Sequence, residues 1–196
     1  MTRKDITIIH QAKFTLNLSI FEPEEKNNAI ILYLHGNSSS KLESKNLLEY
    51  LPTGFSLASF DFIGCGLNKS KDIITLGHSE QDQAETIVNY LKQKNYFVIL
   101  WGRSMGASTA LLHGKCPIIV ADSSFRSLKT LCKQIAKKGA PTWVPNCLIE
   151  CLFPCFFYKL RKDVEEKADY DMNDVDVKFS LSKIDLSTTL IFLTGD

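Results

Sequence analysis

Hydrophobic positions recur along this chain in two periods. Phe14, Leu16, Leu18 and Ile20 alternate with Thr15, Asn17 and Ser19, which predicts a strand with one wet face, suited to an antiparallel edge. Four later runs, 29–34, 97–101, 117–121 and 189–193, are continuously apolar, as expected of parallel strands covered on both faces. Helical patterns lie between them. Ser40 and Glu43 have capping-box spacing ahead of Leu47, Leu48 and Leu51, and Ala84, Ile87, Val88 and Leu91 form a stripe at helical spacing. This alternation predicts an α/β fold: a mostly parallel, doubly wound sheet whose ligand sites gather beyond the carboxyl ends of the strands.

Residues 125–187 break the rhythm, being far longer than the ~4–6 residues of an ordinary connection and rich in aromatics and proline. They are expected to form a cap inserted within a single domain spanning 1–196. Trp143, Val144, Leu148, Ile149, Leu152, Phe153, Phe156, Phe157 and Tyr158 suit an apolar pocket, a membrane surface or simple packing onto the sheet, and the pattern leaves all three open. Residues 159–178 mix charges of both signs, as in a solvated face or flexible arm. Cys147, Cys151 and Cys155 recur every fourth residue, but Pro154 is expected to break their turn. Buried apolar packing is favoured for them over a metal or lipidation role, because no histidine lies nearby to complete a zinc set.

Charge narrows the partners. With 23 Lys and Arg against 22 Asp and Glu over 196 residues, and the charges read as scattered, neither nucleic acid nor an anionic membrane is a default partner. A small-molecule, acylated or peptidic substrate is expected. No run of ~18 apolar residues occurs, and Met1–Asp5 leads into alternating sequence, so no transmembrane segment or signal peptide is expected and a cytoplasmic location is. The six cysteines should then stay reduced.

The strongest chemical signal is Gly102-Arg103-Ser104-Met105-Gly106, a nucleophile-elbow pattern placed between a buried strand and a small-residue helix. A serine at such a turn projects its hydroxyl into the cleft, and the glycines avoid collisions with neighbouring backbone. His35-Gly36-Asn37 closes the first buried strand. Backbone N–H groups of Asn37, or alternatively Ser38, and of Met105 could form an oxyanion hole. Asp61-Phe62-Ile63-Gly64-Cys65-Gly66 permits a sharp loop near the same cleft. Continued to Ser70, it lacks both glycines that a phosphate-binding loop needs. No metal-binding spacing appears.

These motifs in this order, followed by Asp122-Ser123-Ser124 after the fourth run, resemble the α/β-hydrolase superfamily, and within it the serine-aminopeptidase-like branch that includes esterases, lipases and depalmitoylases. The resemblance implies cofactor-free hydrolysis of an ester, thioester or amide through an acyl-enzyme at Ser104, with an acid and then a histidine completing the triad. Asp196 in Gly195-Asp196 matches the opening of the acid loop, and Asp122 occupies an alternative acid position, although a loop-fixing role suits it equally. No histidine matches the base: His10, His35, His78 and His113 read as structural or exposed. The resemblance therefore implies a chain incomplete at its C-terminus, lacking a strand, the catalytic histidine and a covering helix, and inactive as it stands. A catalytically dead binding or scaffold module is the competing expectation.

Overall fold

The computed structural model describes residues 1–11, 13–68, 70 and 74–194. Seven strands form one sheet among them. β1 (Thr2–His10) and β2 (Phe14–Glu22) pair antiparallel, and β2 pairs antiparallel with β4 (Ser56–Phe60). β4 then runs parallel to β3 (Ala29–Leu34), β3 to β5 (Phe97–Arg103), β5 to β6 (Ile118–Asp122) and β6 to β7 (Leu190–Thr194). The strand expected at the edge, β2, is second in the order, because β1 covers it. That shielding explains why Ser19 is buried although it lies on the polar side of the alternation.

Burial on both faces follows the two-residue period of the strands. In β3, Ile30, Leu32 and Leu34 join the larger core beneath α1 (Glu80–Gln93) and α2 (Met105–His113), while Ile31 and Tyr33 turn to the opposite face. The stripe Ala84, Ile87, Val88 and Leu91 of α1 is buried as its spacing requires. On the other face Leu47 and Leu48, from residues Lys41–Tyr50, which wind as a 3-10 helix, and Leu51 just after them cover the sheet. The expected capping box is only half formed. Ser40 Oγ accepts from the Leu42 N–H at 3.4 Å, but Glu43 turns away to bind Arg103 at 2.8 Å, a charged partner that outweighs a backbone amide.

The segment after β6 builds a second apolar cluster from Leu128, Phe153, Phe157, Tyr170, Met172 and Val175. It comprises α3 (Leu128–Gly139), α4 (Asn146–Ala168) and α5 (Val177–Leu181). Its two ends clasp each other: Leu128 N–H donates to Val175 O at 3.2 Å and Val177 N–H to Arg126 O at 3.0 Å. Two expectations fail here and a third is met only in part. α4 runs unbroken through Pro154, whose exposed position leaves water to satisfy the carbonyl that loses its partner. Cys147, Cys151 and Cys155 are exposed rather than packed, since the helix buries the face carrying Phe153 and Phe157 instead. Residues 159–178 are not a flexible arm: Lys159, Lys162, Asp163, Glu165, Glu166 and Lys167 form a solvated face of α4, and Tyr170, Met172, Val175 and Val177 beyond it are buried.

At the far end of β2, Glu22 joins three segments: its carboxylate accepts from Lys4, Lys26 and the Tyr96 hydroxyl. The Lys26, Lys4 and Tyr96 hydrogen bonds, in that order, hold its pKa down at about 2. A carboxyl depressed on folding stabilises the protein above its ordinary pKa and loses that contribution as pH falls through the folded value. Glu22→Gln should therefore cost about 2 kcal/mol at pH 7 and flatten the loss of stability between pH 4.5 and about 2, as measured by urea unfolding at each pH.

Candidate active site

Ser104 lies between the last residue of β5 and the first of α2, with φ 51° and ψ −110°. Side chains rarely adopt this conformation, which costs of order 1–3 kcal/mol and persists only where the surroundings enforce it. Here they do. Ser104 N–H donates to Asp122 O at 2.8 Å, and Ser108 N–H to Ser104 O at 3.0 Å. The flanking glycines permit a backbone approach no other residue allows: a Cβ on Gly102 would lie 2.1 Å from Gly106 O, and one on Gly106 would lie 2.0 Å from Leu34 O. The Ser104 side chain is half-buried and makes no hydrogen bond to the described residues.

The turn after β3 sits directly against this elbow. Gly36 packs beside Arg103, with a Cβ there 3.5 Å from Arg103 O. Glu43 ties the two together, accepting from Arg103 Nε at 2.8 Å and from the Gly36 N–H at 3.3 Å. Neither the Glu43 nor the Arg103 role was visible in the sequence, because their numbers lie sixty apart and the local patterns that hold them, a capping box and the elbow, do not pair them. Within the turn, Asn37 Oδ1 accepts from the Ser38 N–H at 2.9 Å, which occupies the alternative oxyanion donor. The N–H groups of Asn37 and of Met105, first in α2, have no acceptor among the described residues. The helix adds its positive end at the same place.

Asp122 ends β6 beside the elbow, paired in register with Arg103 on one side and Thr194 on the other. Its Oδ1 accepts from Ser123 Oγ at 3.0 Å and Thr194 Oγ1 at 2.9 Å. The carboxylate thus closes its own loop while its carbonyl fixes Ser104. Asp196, the other candidate acid, lies outside the described residues, as does Gly195. A cavity of about 350 Å³ opens alongside Asp122, lined by Ser123, Phe125, Arg126, Leu181, Leu193 and Thr194 among others. A larger one, about 460 Å³, lies between the β1–β2 turn and the start of α1, and Ser104 lines neither of the two.

None of the histidines contacts Ser104 among the described residues. His35, fully buried, sets its Nδ1 2.8 Å from Gly36 O while Nε2 accepts from the Phe62 N–H at 3.2 Å. The first contact needs a proton on Nδ1 and the second a lone pair on Nε2, so the ring is the neutral Nδ1–H tautomer. Burial lowers its pKa accordingly. His10 Nδ1 lies 2.8 Å from Thr86 Oγ1, His113 Nε2 lies 2.6 Å from Glu85 Oε2, and His78 stacks on Tyr170. Asp61 is likewise structural: its carboxylate accepts from the N–H groups of Lys41 and Leu67 at 2.7 and 3.1 Å. The amides of that loop therefore face inward rather than cradling a phosphate. Lys69 lies outside the described residues.

No family model matches the sequence, and no curated protein is detectably similar to it. Solved structures are. A Pyrococcus furiosus esterase superposes with a TM-score of 0.64 at 18% identity, over 100% of this chain and 83% of that one. A Paenibacillus acetyl xylan esterase gives 0.62 at 12% identity over 99% and 77%. A 2,6-dihydroxy-pseudo-oxynicotine hydrolase gives 0.66 at 17% identity over 97% and 52%. The chain has the α/β-hydrolase fold, shared with serine hydrolases and esterases.

Two measurements probe this geometry. Gly106→Ala should destabilise the protein by about 3 kcal/mol or more, since backbone cannot yield to the new Cβ. Gly139→Ala, with nothing within 4 Å of its Cβ, should be neutral or stabilising by up to about 1 kcal/mol. Denaturant midpoints compare them. Because folding holds the His35 ring neutral, its contribution is present above the ordinary histidine pKa and fades as pH falls below it. His35→Gln should therefore reduce the loss of stability as pH falls from 7 to about 5.5, through that ordinary pKa, without abolishing it. His10 and His113 are shifted in the same direction.

Proposed function

We propose that the protein is a serine hydrolase that cleaves an ester, thioester or amide through an acyl-enzyme at Ser104. The observation that carries this reading is the strained Ser104 backbone at a strand-to-helix turn closed by two glycines. The Ser104 Oγ attacks the substrate carbonyl carbon, and the developing oxyanion is received by the N–H groups of Asn37 and Met105. The acyl–oxygen, acyl–sulfur or acyl–nitrogen bond breaks as the leaving group takes a proton, and water then releases the acid from Ser104. Asp122, held by two hydroxyls, is the acid candidate among the described residues. The cavity beside it favours an apolar acyl or side-chain group, and the segment 125–187 acts as the cap over it.

Attack needs a base for the Ser104 proton. His10, His35 and His113 are engaged by other groups and His78 stacks on Tyr170, with no contact to Ser104 among the described residues, so this reading requires an imidazole that these contacts do not bring to Ser104. The same observation favours a second reading, an inactive α/β-hydrolase module that binds without turnover.

A fluorophosphonate probe separates the two. In the natural protein it should label Ser104, and Ser104→Ala should abolish labelling and lower kcat by about 10⁶-fold. A natural protein that folds, binds apolar acyl ligands and resists the probe would favour the inactive module.

A further inference from the structure

Along α4, much of the surface turned away from Phe153 and Phe157 is left uncovered by the described residues. Leu148, Leu152, Phe156 and Tyr158 are exposed there, with Leu152 and Phe156 at 57% and 55%, alongside the free thiols of Cys147, Cys151 and Cys155. Trp143, just ahead of the helix, is 79% exposed. From Asn146 to Tyr158 the only charge is Glu150, and Lys133 and Lys137 of α3 both pair with it. So long an uninterrupted apolar face on a surface helix marks an interaction site.

Charge indicates the occupant. Although Lys and Arg nearly balance Asp and Glu over the whole chain, residues 125–162 hold eight basic residues and one acid. Charges that looked scattered in the sequence are thus concentrated on α3 and both flanks of the apolar row. Acidic residues return only from Asp163 onward, along the remainder of α4. Apolar and aromatic side chains bordered by lysines form the combination that inserts into the headgroup region of a bilayer with anionic lipid. No helix among the described residues is long and apolar enough to cross a membrane, so the contact is with one leaflet.

We propose that the α3–α4 face docks the protein peripherally on anionic membranes, with Trp143, Leu148, Leu152 and Phe156 entering the interface and the surrounding lysines meeting lipid phosphates and carboxylates. This does not depend on Ser104 being a nucleophile.

Co-sedimentation of the 196-residue chain with phosphatidylcholine/phosphatidylserine vesicles tests it. Binding is expected, weaker by about tenfold or more on phosphatidylcholine alone or in high salt, with a blue shift of Trp143 emission that Trp143→Phe removes. Leu152→Glu/Phe156→Glu should abolish binding, and Lys138→Glu/Lys159→Glu should weaken it about tenfold or more. Both pairs are exposed, and circular dichroism verifies that each variant folds. Failure of the wild type to sediment with phosphatidylserine vesicles would overturn the proposal, as would binding that survives Leu152→Glu/Phe156→Glu. A concentration-dependent dimer that this double variant dissolves, without vesicle binding, would assign the face to a second copy of the chain instead.

Discussion

Contact between backbone and backbone at Gly102, Gly106 and Leu34 is the constraint on which the candidate site rests. Packing α2 this tightly against the ends of β3 and β5 leaves the connecting residue one way to turn, and Ser104 accepts an unfavourable φ because both neighbours are already committed. Once the turn is made, two consequences follow without further interactions. The first amide of α2 is left unpaired at the carboxyl end of the sheet, and the hydroxyl of Ser104 stands beside it rather than within the core. The turn after β3 is brought to the same point by the strand order, since β3 and β5 are neighbours paired from Ala29 with Phe97 to Leu34 with Gly102.

Carboxylates distribute this rigidity through the molecule. Glu43 joins the β3 turn to Arg103, Asp61 joins the loop after β4 to the residues leading into the 3-10 helix, and Glu22 joins β1, the β2–β3 connection and the approach to β5. Each links segments that are distant in the chain, and each is satisfied by donors from more than one of them. A carboxylate removed from water is tolerable only with such partners, so the same bonds that meet its solvation requirement also fix loop positions. His35 does for the β3 turn what these acids do elsewhere: accepting at one nitrogen and donating at the other, it spends both on backbone and keeps none for proton transfer.

The segment between β6 and β7 obeys a different logic. Its helices α3 and α4 bury one face each on a small cluster of their own while α5 packs Val177 on the main core, and α4, twenty-three residues long, has more apolar surface than that cluster can cover. The surplus faces outward, and the lysines of α3 lie beside it. A helix that is apolar on both sides has to meet something on each. One side meets the protein; the bilayer proposed for the other is consistent with the basic border and with the retreat of acidic residues to its distal half.

The parallel strands, the α1 stripe and the elbow were legible because each is a short-range pattern: an unbroken apolar run, a helical repeat, and two glycines spaced about a serine. Asn37 and Met105 could be placed just past a strand end and at a helix start from sequence, because those places follow from the same local order. What eluded the sequence depends on which faces meet. The second position of β2 required β1 beside it, the diversion of Glu43 required Arg103 to arrive from another strand, and the exposure of Cys147, Cys151 and Cys155 was settled by α4 burying Phe153 and Phe157 in preference to them. Periodicity shows that a helix has two faces; only packing decides which of them is turned inward, because larger aromatic rings remove more surface from water than thiols do.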